Sequence, residues 1–494
     1  MSLVVKNTAY LAGASVLQKL LAFIYFSIIA RMLGVEKTGL YTFALSYTAL
    51  FAMFMDLGLS SVLVREVARD KNKIKTQSLL NTVLGLKLIF GFLILFVVWV
   101  SIWFLETDPT TRYLVFLSSL VMFLDSFVLT FWCVFRGWQK LSYEAFSMIG
   151  AQGLIMLVGL AGLFLGMPIW ILIFAFILGS ASQLLFFIYL SKKKLGLFLN
   201  FSWDTRAIRS LTLLALPFAF LSIFTKFFHS ADLVLLKFLT KGEGARYVGY
   251  YSVPYKIHFA LNFIPASFGV VIYPAMSRYY VSSRKALKRL FERSLFFLMI
   301  LGIPCAIGIA VLAPELILKI YGSDYRSSIP ALQLLILSLP FVFVTFPVGA
   351  LLNASNRQKE NTRNTGLALV LSVFLNILLI PVWFHMAPAF VSLFSNAFLF
   401  LAGLYCCSKI VSIGVKALIW ALVRIVFSAM LMGFLVWFLK ESVFLSGWKE
   451  SVFIFLVLPI AGALIYFACL IFFRVLGGKE IEDLKEGLRP ASKI

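Results

Sequence analysis

The stretch Ser222-Ile223-Phe224-Thr225-Lys226-Phe227-Phe228-His229-Ser230-Ala231-Asp232 puts a base, an imidazole and an acid inside a run, 211–238, that is otherwise apolar enough to cross a bilayer. The next apolar run, 248–276, does the same with Lys256 and His258. A charge at the centre of a spanning helix costs roughly 2.5 to 3.5 kcal/mol on insertion scales, so such groups turn towards water, a partner or a ligand. Ser222, Thr225, Lys226, His229 and Asp232 recur at three- and four-residue steps, which lines them up on one side of a helix. Tyr251, Tyr255, His258 and Asn262 do so more loosely, with Lys256 one position off that line. Two polar stripes on neighbouring helices make a cavity wall. The plainer alternative is that Lys226 and Asp232 pair with other helices and Lys256 reaches an interface, but the bases outnumber Asp232, and it cannot neutralise them all.

Working outward, 62% of the 494 residues are hydrophobic and 13% charged, the balance of a polytopic membrane protein rather than a soluble domain. Apolar runs predict about fourteen spans, near 9–31, 39–62, 79–105, 113–135, 145–166, 169–190, 211–238, 248–276, 294–313, 328–352, 366–384, 388–408, 417–438 and 451–473. The net charge of +23 comes mainly from short loops on the side of the N-terminus, including Arg65 to Lys75, Lys192 to Lys194, Arg278 to Arg293 and Arg357 to Arg363. By the positive-inside rule this predicts a cytoplasmic N-terminus, and an even number of spans brings the C-terminus to the same side. The basic loops are thus topology signals and contacts for membrane lipids, not a nucleic-acid surface. The first apolar segment carries Gln18 and Lys19 and lacks a small-residue cleavage site, so it reads as a retained helix. Cys133, Cys305, Cys406, Cys407 and Cys469 fall in predicted spans without metal-ligand spacing and read as small core residues.

Lys192-Lys193-Lys194 and the polar run to Thr205 form the clearest break in the chain. Thr38-Gly39-Leu40-Tyr41-Thr42 recurs as Val248-Gly249-Tyr250-Tyr251-Ser252, each opening the second helix of its half. The chain is therefore expected to comprise an N-terminal six-helix bundle at 1–195, a cytoplasmic linker at 196–209, a second six-helix bundle at 210–410, and two further helices with a cytoplasmic tail at 411–494. Six spans per half make the repeats parallel, which places substrate between them near mid-membrane. Two other acids stand out. Asp125 lies mid-span and is a candidate proton or sodium site, or else a hydrogen-bonded packing group; Asp56, beside Gly58 near a helix end, is a coupling candidate or a cap. Pro254, Pro265 and Pro274 punctuate the eighth span and Pro217 the seventh, where they bend the helix. Arg284 to Phe291 alternates bases with an apolar face, as an interfacial helix does.

Leu33-Gly34 with Gly39-Leu40-Tyr41, Asp56-Leu57-Gly58-Leu59 through Arg65-Glu66, Leu216-Pro217, Asp232, Val248-Gly249-Tyr250-Tyr251, Pro265, Pro274, Asn353 to Lys359, Asn376 and Ile380-Pro381 follow one another in a familiar order. On these motifs the chain resembles polysaccharide flippases of the multidrug/oligosaccharidyl-lipid/polysaccharide exporter superfamily. The resemblance implies two six-helix bundles around a central cavity, here with two additional C-terminal helices. It also implies alternating access, and a cationic cavity for the phosphate-linked head of a polyprenyl carrier, with Lys19, Lys226, His229 and Lys256 as the cavity bases. The chain departs from the family at His385-Met386-Ala387-Pro388-Ala389, where a glycine- and alanine-rich opening of the next helix is common.

The residues agree on independent grounds. A pyrophosphate in a low-dielectric cavity needs several cationic donors, and lysines bind it as point charges that also release it. The sugar has Tyr41, Tyr251, Tyr255 and Asn262 as candidate partners, and Asp125, Asp232 and Asp56 are the candidate groups for coupling to H+ or Na+. The expected activity is outward translocation of a lipid-linked oligosaccharide for cell-surface polysaccharide assembly, without covalent chemistry or a cofactor. The alternatives are a cation-coupled multidrug exporter of the same superfamily, against which the excess of bases over acids in the central helices counts, and a membrane polysaccharide polymerase or ligase. The short outside loops and the lack of a catalytic or phosphate-loop motif count against an enzyme.

Overall fold

The computed structural model of the protein describes residues 3–70, 72–198, 219, 223–228, 230–240, 242–445, 452–473 and 475. Every regular element among these residues is helical. A chain in lipid has no water to satisfy its backbone, and a helix satisfies it internally.

The first helix, α1 (Leu3–Asp56), bends at Gly34, whose φ of 74° and ψ of 177° lie in a region that side chains do not enter cheaply. Its 54 residues reach roughly 80 Å at 1.5 Å per residue, enough for two crossings around the bend. Leu57 and Gly58, with φ of 40° and 78°, end it and start α2 (Leu59–Arg69). The helix α3 (Lys73–Leu105) is capped by Asn72, whose side chain accepts from the N–H of Ile74 and Lys75. Asp108 caps α4 (Pro109–Gly137) in the same way, with proline at the first helical position. Then follow α5 (Leu141–Phe164) and α6 (Trp170–Leu190), which widens into a π-helical turn at Ser191–Leu195. Helical residues 223–228 and 230–239 form α7. Next come α8 (Gly244–Leu261), α9 (Phe263–Ser282), α10 (Arg284–Ile320), α11 (Ser328–Ile336), α12 (Leu339–Ala354), α13 (Gln358–Trp383), α14 (Met386–Ser408), α15 (Val415–Leu445) and α16 (Val452–Phe472).

Eleven helices among the described residues are long and apolar enough to cross a membrane. The expected spans at 9–31 and 39–62 share one of them, Tyr10–Asp56, because Gly34 bends the helix without ending it. The expected span at 211–238 lies largely outside the described residues, and of that at 451–473 the apolar helix Val457–Phe472 is described. Each of the other expected spans overlaps one of the eleven, with 248–276 running over α8 and α9 and 328–352 over α11 and α12.

The chain folds into two compact units, one of Met1–Ala260 with Thr365–Pro388 and one of Leu261–Asn364 with Ala389–Ile494. In the first, Val62, Leu63 and Val67 of α2 pack with Leu80, Val83 and Leu84 of α3 and with Phe131, Val134 and Phe135 of α4, all buried. Phe187 of α6 closes this cluster edge-on to Phe135 at 5.1 Å. Elsewhere in the unit the two copies of the repeated glycine motif meet. A Cβ on Gly39 would lie 1.7 Å from the Ala245 carbonyl oxygen, and one on Gly249 would lie 2.0 Å from that of Val35. Each glycine admits the backbone of the other copy's helix, an approach no larger residue permits.

In the second unit α10 packs against α9, α11, α12 and α15. Lys440 pairs with Glu315 at 3.0 Å, the Tyr466 hydroxyl donates to the Ile300 carbonyl, and the Gly414 N–H donates to Glu292. The start of α10 is amphipathic, with Leu287 and Phe291 fully buried and Arg284, Lys285, Arg289 and Arg293 exposed.

The glycine contact makes a signed prediction. Gly39→Ala and Gly249→Ala should each lower the stability of the purified protein by more than about 2 kcal/mol, because backbone must move. Gly150→Ala, in α5 with nothing within 4 Å of its Cβ, should raise it by up to about 1 kcal/mol through helix propensity. Thermal unfolding in detergent reads both signs.

Candidate functional site

Within the first unit, one face of each of α1, α2, α4, α5 and α6, joined by Lys226 of α7, encloses a cavity of about 970 Å³. The faces follow helical spacing: Met148, Ala151, Gln152 and Ile155 on α5, and Phe176, Gly179, Ser180 and Gln183 on α6. Most of the wall is apolar, with polar groups at a few places, as in small-molecule sites generally.

The ionisable groups of the wall fall into two kinds. Asp56 and Arg136 are neutralised within the protein. Lys87 of α3, fully buried, places Nζ 2.8 Å from Asp56 Oδ1 and donates to the Ser126 carbonyl at 3.0 Å, while Ser60 donates to the same carboxylate. Arg136 forks onto Glu144, Nη2 at 2.5 Å and Nε at 2.8 Å, and Glu144 is 1% exposed. Lys226 and Asp125 have no ion-pair partner among the described residues; Asp125 Oδ1 accepts from the Ser180 hydroxyl at 2.5 Å. Amides and hydroxyls fill the gaps. Gln18 Nε2 donates to Gln152 Oε1 at 3.1 Å, Gln183 donates to the Ser147 carbonyl, and Thr48 and Ser118 share a hydrogen bond of 2.7 Å. The Trp132 Nε1–H and the Ser126 hydroxyl, both buried, find no partner among the described residues.

Of the residues expected from sequence, Lys226, Asp125 and Asp56 line this cavity. Lys19 follows the lining residue Gln18 and is half-buried. Tyr41 is 3% exposed, with its ring 6.5 Å from Phe176, a lining residue. Lys256 is half-buried, its Nζ 5.3 Å from the centroid of the Phe26 ring. Asp232 belongs to a separate buried group, accepting from Asn376 Nδ2 at 2.9 Å and from the Tyr251 hydroxyl at 3.4 Å. Tyr255 is next to that group, its ring 6.1 Å from Tyr251. Asn262 falls in the second unit, and His229 lies outside the described residues.

Sequence reading passed over Gln18, Gln152, Gln183, Ser180, Trp132 and the two internal ion pairs. The amides carried a signal, since an uncharged polar residue in an apolar span is itself turned inward. The Arg136–Glu144 pair was hidden because a base and an acid eight residues apart read as loop charges until a turn brings them together.

Residues 4–280 match the family of polysaccharide biosynthesis proteins. The chain belongs to this family. Solved structures extend the likeness over the whole fold. One titled lipid II flippase MurJ, in an inward closed conformation, superposes with a TM-score of 0.77 at 16% identity, covering 94% of this chain and 99% of that one. An inward-facing multidrug resistance MATE family transporter of the MOP superfamily gives 0.65 at 14% identity, over 80% and 95% of the two chains. A MOP superfamily transporter from Pyrococcus furiosus, described as having a binding pocket of reverse polarity, gives 0.55 at 15% identity over 83% and 96%. No curated protein sequence matches the chain. The fold of this polysaccharide biosynthesis family member is thus one of many membrane helices, shared with those solved structures.

The buried pair should dominate local stability. Lys87→Met leaves Asp56 without its counter-ion and should cost about 3 kcal/mol, whereas Lys87→Met combined with Asp56→Leu should recover most of that loss. Thermal unfolding of the two variants against wild type measures the difference.

Proposed function

We propose that the protein is a flippase that carries a polyprenyl-phosphate- or diphosphate-linked oligosaccharide from the inner to the outer leaflet of the cytoplasmic membrane, with both termini on the cytoplasmic side. The observation that carries this reading is the match to polysaccharide biosynthesis proteins over more than half the chain, in a fold shared with a lipid II flippase. The cavity supports it physically. A passenger with a phosphate head needs a cation that is not already spent on an internal acid, and Lys226 stands on the cavity wall in that condition among the described residues. Lys19, His229 and Lys256 are the further bases proposed to meet the phosphates, and Tyr41, Tyr251, Tyr255 and Asn262 to meet the sugar.

In the proposed cycle the anionic head enters an inward-open cavity, the lysines neutralise it, and rocking of two six-helix halves, 1–195 and 210–410, releases it outside. The lipid tail stays in the bilayer. Membrane potential favours outward movement of an anion, at about 2.3 kcal/mol per charge per 100 mV. Asp125, Asp232 and Asp56 are proposed for coupling to H+ or Na+. Covalent chemistry has no part in this cycle.

A second reading, cation-coupled export of an organic cation, draws on Asp125, a carboxylate on the cavity wall with no counter-ion among the described residues. Proteoliposomes separate the two readings. A polyprenyl-diphosphate disaccharide should move at a rate that falls at least about tenfold in Lys226→Ala, while a fluorescent organic cation should not move. Cation movement without lipid movement would make the protein a drug exporter.

A further inference from the structure

The cavity wall formed by α4, α5 and α6 carries a polar set that the phosphate head does not need. Asp125 accepts from Ser180, leaving its second carboxylate oxygen without a partner among the described residues. The hydrogen bonds of Gln152 and Gln183 leave, on each, one half of the amide for a ligand. A carboxylate oxygen only accepts, and an amide both donates and accepts. Sugar hydroxyls and acetamido groups match both, because each hydroxyl gives one proton and takes one.

A sugar carboxylate does not match. It offers no proton to Asp125, and the neighbouring acid is neutralised by Lys87 rather than holding a cation free for the sugar. Like charges brought together in a partly desolvated site repel one another and disfavour the acidic partner. Among the described residues the one cation on this wall apart from Lys226 is Arg136, whose guanidinium is held by Glu144.

We propose that Asp125, with Gln152 and Gln183, reads the sugar part of the passenger and admits neutral or amine-bearing heads while turning away acidic ones. Asp125 is the residue that sets this choice. The proposal rests on the reading of the chain as a lipid-linked oligosaccharide flippase. It assigns the class of sugar: hydroxyl- and acetamido-bearing units, with no uronic acid at the position that meets α4.

The test compares two probes on the same polyprenyl diphosphate, a disaccharide of two N-acetylglucosamines and one of N-acetylglucosamine with glucuronic acid. Apparent Kd is measured for both on the full-length purified protein by thermophoresis. Wild type should bind the neutral probe at least about tenfold more tightly. Asp125→Asn should shrink that ratio below about threefold, and Asp125→Glu, which keeps the charge, should hold it above that value. A wild-type ratio near one, a ratio that Asp125→Asn leaves unchanged, or no binding of either probe overturns the proposal. Flipping of the neutral probe in proteoliposomes keeps the two readings apart. Flipping without discrimination in binding would sink the sugar-class inference alone, whereas Asp125-dependent discrimination without flipping would support it and sink the flippase reading.

Discussion

The cost of an unpaired charge away from water governs the first unit of this protein. A lysine ammonium buried as completely as that of Lys87 survives only if it is paired and hydrogen-bonded, and it has Asp56, the Ser126 carbonyl and Ser60 for that purpose. This group ties α3 to the end of α1, the start of α2 and the middle of α4. It lies where α1 gives way to α2 through Leu57 and Gly58, both at positive φ, so the break presents Asp56 to the cavity side and to Lys87 together. The helices around the cavity are thus registered by a polar contact as well as by apolar packing, which in lipid offers little preference between one helix face and another.

The second determinant is close backbone approach. Gly39 and Gly249 each sit under a carbonyl of the other repeat's helix, and Gly34 supplies the bend that returns α1 towards α8. Beside them Lys237 reaches Glu106 at 3.0 Å, with both side chains 12% exposed, and lies 5.8 Å from the centre of the Phe43 ring. The neighbourhood combines a dry glycine contact with a shielded ion pair. Both are directional, so both fix the relative position of α1, α3, α7 and α8 within the unit.

Much of this was legible in the sequence. The helical class and most spans followed from apolar runs, because a helix that meets lipid must be apolar for about 20 residues whatever it packs against. The repeated Gly-Leu-Tyr and Gly-Tyr-Tyr motifs pointed to paired helices, and the structure brings their glycines together. Asp125 and Lys226 were singled out because a charge inside a span is costly, and Asp56 as a coupling candidate or a cap; all three line one cavity. Partner identity was not legible. Nothing in the spacing of Lys87 and Asp56 tells that they meet, nor that Asp232 meets Asn376 across 144 residues, since pairing at that separation depends on how helices turn about their axes. For the same reason the hydrogen bond from the Tyr251 hydroxyl to Asp232 was not legible either. Helical periodicity gives a residue's face and leaves the neighbour of that face open.

These pairings divide the charges by their chemistry. Arg136 is a fork that matches the two oxygens of Glu144, and a guanidinium held that way is slow to exchange its partner and suited to staying put. Lys226 carries a point charge on a flexible stem, the kind of group suited to taking phosphate oxygens from many directions and letting them go. A carrier needs both kinds of cation in one cavity: fixed ones to hold the wall in shape through the cycle, and a labile one to take and release the passenger. Asp125 completes the division, because its carboxylate is held by a hydroxyl at 2.5 Å rather than by a base and stands on the cavity wall. Charges spent on each other build the cavity, and the two without an ion-pair partner among the described residues are the ones proposed to decide what it accepts.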